Sequence, residues 1–254
     1  GRIRRQRQMC IRDRFKTWFN TKYYHILYED RNYDDAQFFI DNIINELQTS
    51  RTDKILDVAC GRGRHSIYLS KLKYNVTGID LSTNNINYAK KAAKNNQLDC
   101  NFFTHDMRNE INYKFDLILN MFTSFGYFTE IDNLKTIFAF KKSLNTNGSL
   151  IIDFMNLGFV TKNFIKKEVI LKKGINFNVK RSISNKKVKK EISFSIENKN
   201  YNYIESLSAL TLSDFKKMFL KSGLKLIKTY GDYDLKPFNY ETSKRLIMLV
   251  KNNN

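Results

Sequence analysis

The stretch Lys54-Ile-Leu-Asp-Val-Ala-Cys-Gly-Arg-Gly-Arg-His-Ser-Ile-Tyr-Leu-Ser70 decides how the rest of the chain reads. Ile55, Leu56, Val58 and Ala59 form a short apolar run of the kind buried in a parallel sheet. Gly61 and Gly63 follow at once, and Ile67, Leu69 and Leu72 then open a helical pattern. The order is therefore strand, glycine turn, helix. Glycine lets the backbone turn tightly and lets a ligand approach with no Cβ in the way. The amides that open the helix offer donors to that ligand. A second strand, Asn75-Val-Thr-Gly-Ile-Asp80, ends in a carboxylate 19 residues after Gly61, where an acid can accept both hydroxyls of a ribose.

Two cofactors fit such a unit. A dinucleotide fingerprint calls for a third glycine or alanine, and this chain has Ser66 there. For S-adenosylmethionine the glycine loop follows a carboxylate at the strand's end, and Asp57-Val-Ala-Cys-Gly61-Arg-Gly63 fits that pattern better. At these residues the chain resembles the class I (seven-strand, Rossmann-like) S-adenosylmethionine-dependent methyltransferases, of the kind with a β-meander insertion after strand five. It departs from them at Ala59, where the family usually has its first glycine. The resemblance implies an α/β fold with a doubly wound, mostly parallel seven-stranded sheet. Its order is 3-2-1-4-5-7-6, with strand 7 antiparallel and an inserted antiparallel β-meander.

The same resemblance distributes roles along the strand ends, with S-adenosyl-L-methionine as cofactor. Asp57, Ala59, Cys60, Gly61 and Gly63 are expected at its methionyl end. Arg64 and His65 sit in the first helical turn, where basic groups are disfavoured unless an anion such as the methionyl carboxylate is close. Asp80 takes the ribose and Leu81 packs on adenine. Asn101-Phe-Phe-Thr-His-Asp-Met107 reads as the third strand and its exit. There Asp106 is placed to accept the adenine amino group, Met107 to donate a backbone amide, and His105 adjoins them. Phe115-Asp-Leu-Ile-Leu-Asn-Met121 is the fourth strand, apolar as a central strand should be. Asn120, Met121 and Phe122 then lie near the transferred methyl group.

Composition bounds the rest. A chain of 254 residues suits one α/β domain with an insertion. It has no apolar run of about 18 residues, so no membrane-spanning helix is expected, and no signal peptide is read at its start. Cys10, Cys60 and Cys100 show neither metal spacing nor a paired framework, which suits a reduced cytoplasmic setting with no metal. The net charge of +19 points toward nucleic acid only in part. Residues 1–14 hold six of the 13 arginines, and Met9-Cys-Ile-Arg-Asp13 resembles one reading frame of a transposon end used in sequencing libraries. These residues are read as non-native and left out of the fold. Without them the charge is +14.

Residues 15–50 are expected to form N-terminal helices that fold over the cofactor as a lid or simply pack. Trp18, Phe19, Tyr23, Tyr24 and Tyr28 crowd there before a helix over 34–47. As a lid, Tyr23 or Tyr24 would flank the sulfonium, and Tyr24 and His25 are the candidate catalytic groups; Arg31 belongs to the same segment. Residues 51–159 and 208–254 form the main domain. Residues 160–207 alternate as in Ile192-Ser-Phe-Ser-Ile and are expected to cap the substrate as antiparallel strands. Residues 160–200 carry 12 Lys or Arg against three Glu, either a solvated face or an RNA-facing one. Tyr127, Tyr233 and Phe238 are candidate substrate contacts. The chain lacks both Asn/Asp-Pro-Pro-aromatic and Pro-Cys, which lowers the nucleic-acid reading. The expectation is methyl transfer to a small-molecule acceptor, nitrogen before oxygen. The alternatives are an RNA methyltransferase using the basic insertion, or a non-catalytic cofactor-binding partner subunit.

Overall fold

The structure, a computed structural model, describes residues 14–29 and 33–252. Of residues 1–14, read above as non-native, 1–13 lie outside the described residues, as does Arg31, while Arg14 opens the first helix. The described chain divides into two compact units, residues 14–29 with 164–209 and residues 33–163 with 210–252.

Two short helices, α1 (Arg14–Phe19) and α2 (Lys22–Leu27), come first and belong to the smaller unit. The larger unit begins with α3 (Tyr33–Leu47), in which Ala36, Phe39, Ile40, Ile43 and Ile44 recur at helical spacing and are all buried. Then follow β1 (Lys54–Val58), α4 (Arg64–Lys71), β2 (Asn75–Asp80), α5 (Thr83–Asn95), β3 (Asn101–Thr104), β4 (Phe115–Asn120), α6 (Glu130–Ser143), β5 (Leu144–Met155) and α7 (Leu157–Lys162). The chain leaves for β6 (Lys167–Lys172), β7 (Ile175–Ser184), β8 (Lys187–Ile196) and β9 (Lys199–Ser208), which complete the smaller unit. It returns with α8 (Leu212–Ser222), β10 (Lys225–Tyr230) and β11 (Arg245–Lys251). No described helix is long and apolar enough to cross a membrane.

The large sheet runs β10-β11-β5-β4-β1-β2-β3. This is the predicted order, with β11 antiparallel to both neighbours. One face buries Phe39, Ile40 and Ile43 of α3 against Ile55, Val76, Leu117, Leu119 and Ile151. The other buries Ile67, Ile86, Ala89, Ala93 and Phe102. Each such side chain contributes about 1.5–3 kcal/mol by leaving water. The helices are capped. The Ser82 hydroxyl accepts from Asn85 N, and Thr211 and Asp214 make a reciprocal capping box ahead of α8.

The helix after Gly63 ends at Lys71, because Lys73 turns left-handed at φ 67° and Tyr74 N bonds back to Leu69 O. Strand β5 starts at Leu144. Leu144 already pairs with Phe115, and the chain continues through Asn147 and Gly148, whose neighbourhood the Asn252 backbone ties down. The meander starts at Lys167 rather than 160, since Asn156 caps a helical turn over 157–162.

In the smaller unit, β6-β7-β8-β9 form an antiparallel sheet whose inner face, Phe177, Val179, Ile192 and Phe194, packs on Trp18 and Leu27. Beneath them Glu205 is buried yet satisfied. It accepts from Trp18 Nε1 at 2.7 Å and from the Tyr28 hydroxyl, which Lys190 Nζ meets in turn at 2.7 Å.

Two glycines set the distance between helices and sheet in the larger unit. A Cβ at Gly78 would stand 2.6 Å from the Phe102 ring and 2.9 Å from Ser66 Oγ. One at Gly63 would stand 2.9 Å from the same ring. The room that a dinucleotide fingerprint makes with a third glycine is made here on the strand instead. Gly78→Ala is expected to cost about 1–3 kcal/mol, read as a lower urea midpoint at unchanged slope; an unchanged midpoint would show that the spacing is set elsewhere.

Candidate functional site

The strand order reverses between β1 and β4, whose last residues Val58 and Asn120 are register partners. Ligands of open α/β sheets bind in the crevice outside the carboxyl ends at such a point. After β1 the backbone turns through Ala59 at φ 56°, Gly61 at 57° and Gly63 at 80°. Ala59 adopts the left-handed conformation that explains why a glycine is usual there. A Cβ at Gly61 would meet nothing within 4 Å, so that side of the loop is an open cradle. Cys60 is buried, and its thiol is pushed well up by that burial.

Asp57 lies under the loop, 1% exposed, and accepts from Ser66 Oγ at 2.6 Å. Burial pushes its carboxyl up to about 7, the Ser66 hydrogen bonds opposing. His65 is also buried, which holds its imidazole down to about 3 and therefore neutral. Its ring stacks on Phe122 with centroids 5.2 Å apart, and the Arg64 guanidinium covers the same ring at 4.3 Å. His65 Nε2 has no hydrogen-bond partner.

At the end of β2, Asp80 receives the Gly61 amide at 2.9 Å on one carboxylate oxygen and the Ser82 amide at 2.7 Å on the other. The Asn85 side chain donates to the same carboxylate, which leaves part of its acceptor capacity for a further donor. Burial raises this carboxyl too, these three hydrogen bonds opposing. Leu81 is half-buried beside it. Leaving β3, His105 N donates to Asp80 O at 3.0 Å, and His105 Nε2 lies 3.1 Å from Asn109 O. Asp106 accepts from Arg108 through both the backbone amide and the guanidinium. Arg108, itself over the Phe128 ring at 4.5 Å, was not signalled by the strand pattern; its spacing of two from an acid was the only cue.

Asn120 ends β4 fully buried. Its Nδ2 donates to Val58 O at 3.3 Å and approaches Met107 Sδ at 4.0 Å, while its Oδ1 has no partner. Met121 is core, and Phe122 is half-buried against it. Phe122 and Thr123 are both left-handed, at φ 55° and 61°. Three residues absent from the sequence reading's cofactor set hold them. Asp153, fully buried, accepts from Phe122 N at 2.8 Å, from Arg245 Nε at 2.7 Å and from the Tyr233 hydroxyl at 3.3 Å. Burial pushes its carboxyl up and Arg245 opposes. Tyr233 therefore packs beside Phe122, with centroids 5.5 Å apart, and stacks on Phe39. Tyr127 is half-buried in the segment after β4. Phe238 N donates to Thr229 O, next to the β10 edge.

The remaining candidates lie in the smaller unit. Tyr23 packs on Phe194 and Tyr201, at 4.9 and 5.1 Å between centroids. Tyr24 packs among Trp18, Phe19, Tyr28 and His25. Lys187 and Lys190, counted with the basic surface, are engaged by Ser208 and Tyr28. Lys180, Lys186 and Lys189 are bound in no ion pair or side-chain hydrogen bond among the described residues.

The raised Asp57 carboxyl has a thermodynamic signature. Its folded value of about 7 exceeds its ordinary 3.8, so folding favours the protonated form. Its contribution is fully present below the unfolded value and is lost as pH rises through the folded one, up to about 4 kcal/mol. Asp57→Asn is expected to flatten the stability profile between about pH 4 and 7 in urea titrations; a slope equal to the wild type's would refute the buried, uncompensated carboxyl.

The donor set fits S-adenosylmethionine: an open cradle at Gly61, a carboxylate with spare lone pairs at Asp80, and two unpartnered buried atoms on His65 and Asn120. Residues 55–148 match the family model described as a methyltransferase domain. The chain is similar to a dTDP-3-amino-3,4,6-trideoxy-alpha-D-glucopyranose N,N-dimethyltransferase of Streptomyces venezuelae, 30% identical over 51% of this chain and 54% of that protein. It is also similar to a ubiquinone biosynthesis O-methyltransferase of Pelagibacter ubique, 34% identical over 47% of this chain and 52% of that one. The chain spans about half the length of the curated relatives it matches. A crystal structure of an S-adenosylmethionine-dependent methyltransferase from Clostridium acetobutylicum superimposes with a TM-score of 0.79, at 22% identity over 91% of this chain and 96% of that one. Residues 55–148 thus carry a methyltransferase domain, and the seven-stranded order with the glycine turn at its switch point is the fold of the class I, Rossmann-like methyltransferases.

Proposed function

We propose that the protein transfers a methyl group to a nucleophile on a small-molecule acceptor, nitrogen in preference to oxygen. The observation that carries this reading is the Asp80 carboxylate bonded to the Gly61 amide at 2.9 Å beside an open cradle, at the crevice between β1 and β4. The cofactor supplies a methyl group on a cationic sulfur, open to in-line displacement. The chain supplies position. Asp80 accepts from the ribose with the acceptor capacity that Gly61, Ser82 and Asn85 leave it, and Gly61 leaves the approach clear. Asn120 Oδ1 offers an acceptor, and neutral His65 offers a ring nitrogen without adding charge. Orientation of this kind can account for much of the acceleration of such a displacement.

Nitrogen is preferred because an amine arriving neutral needs no base, and among the described residues neither buried carboxylate beside the crevice is set up as one: Asp57 lies beneath the loop and Asp153 is committed to Arg245. The relative that acts as an N,N-dimethyltransferase supports nitrogen, and the O-methyltransferase relative keeps oxygen as the competitor. Methylation confined to hydroxyls and dependent on His25 would overturn the preference.

Calorimetric titration with S-adenosylmethionine and, separately, with NAD tests the reading. Micromolar binding of the first alone is expected, with a loss of at least about tenfold in Asp80→Ala. Preference for NAD would overturn it.

A second reading, an RNA substrate, draws on the uncompensated Lys180, Lys186 and Lys189 of the meander. It requires RNA affinity that falls steeply with salt and drops when these three are changed to Gln. We expect no such loss; a steep one would replace the small-molecule acceptor with RNA.

A further inference from the structure

Phe122 and Thr123 are consecutive left-handed residues, and neither is glycine, asparagine or aspartate. Thr123 is β-branched, which makes its φ of 61° a true outlier. Strain of this kind persists only where the surroundings over-determine it. Here they do. Phe122 N is taken by Asp153 Oδ2 at 2.8 Å and Thr123 N by the Asp153 carbonyl at 2.9 Å. The Thr123 hydroxyl receives an Arg245 guanidinium nitrogen at 2.9 Å, and that guanidinium is itself fixed by Asp153 at 2.7 Å. One buried residue thus organises every one of these bonds.

The strained turn carries the Phe122 ring across the crevice to the first turn of α4. There it lies against the Arg64 guanidinium and the His65 imidazole. A cation in that turn is opposed by the helix dipole, so Arg64 needs a partner to stay, and the ring face is one. His65 is 6% exposed and its Nε2 is unpartnered. A guanidinium and an imidazole nitrogen held side by side at a helix start suit a carboxylate. On the reading that Asp80 holds the ribose, Arg64 and His65 would hold the carboxylate of the cofactor's amino-acid end.

We propose that Asp153 is a positioning residue for the cofactor's amino-acid end, acting through the Phe122–Thr123 turn to set Arg64 and His65. This rests on the methyltransferase reading above. Asp153 touches no ligand itself; its carboxylate is spent on the turn, on Arg245 and on Tyr233.

The test compares two ligands that share the nucleoside and thioether but differ in the amino-acid end, S-adenosylhomocysteine and methylthioadenosine. In Asp153→Asn, S-adenosylhomocysteine is expected to bind about tenfold more weakly, with methylthioadenosine affinity unchanged. Parallel weakening of both would mark a general loss of structure and overturn the proposal. So would no change in either. Should Asp153→Asn fail to fold, Thr123→Val, which removes the hydroxyl that Arg245 holds, carries the same expectation and the same refutations. Wild-type protein that binds neither ligand would overturn the methyltransferase reading, and this proposal with it; wild-type binding with parallel loss in the variants would overturn this proposal alone.

Discussion

The site depends on one hydrogen bond that joins two βα turns. Asp80, at the end of β2, holds the Gly61 amide of the turn after β1, and its second oxygen holds the amide that starts the approach to α5. A glycine turn in the left-handed region has little intrinsic preference for a single shape. Anchoring its central amide to a carboxylate on the neighbouring strand removes that freedom. With the Asn85 side chain as a third donor, the carboxylate keeps part of its acceptor capacity, so the group that shapes the loop is still able to bind.

Much of this was legible in the chain because it rests on local rules. The strand-turn-helix of residues 54–70, the capping residues Ser82 and Thr211, and the apolar β4 each declare themselves by spacing or residue type. The sheet order followed from the resemblance. Asp80 was found because its distance along the chain from the glycine turn is fixed by one helix and one strand.

What was not legible depends on pairs far apart in sequence. Asp153 and Arg245 meet because β5 and β11 are antiparallel neighbours, and no pattern within either strand says so. Arg108 engages the carboxylate expected to serve adenine, a competition visible only once the turn after β3 has formed. The lysines of the meander looked alike in the sequence, yet Lys187 and Lys190 are drawn into hydrogen bonds while Lys180, Lys186 and Lys189 are not. Tertiary contact, rather than residue type, sorted them.

The smaller unit is assembled from two segments that the whole first half of the large sheet separates. The Trp18 indole bonds to Glu205, 187 positions later in the chain. Helices of six residues such as α1 and α2 are too short to persist alone in water. During synthesis, at about 5–20 residues per second, Trp18 and Leu27 therefore wait on the order of 10–40 s for the sheet that buries them. For that interval the aromatic residues around Trp18 stay unburied, a surface of the kind that chaperones hold.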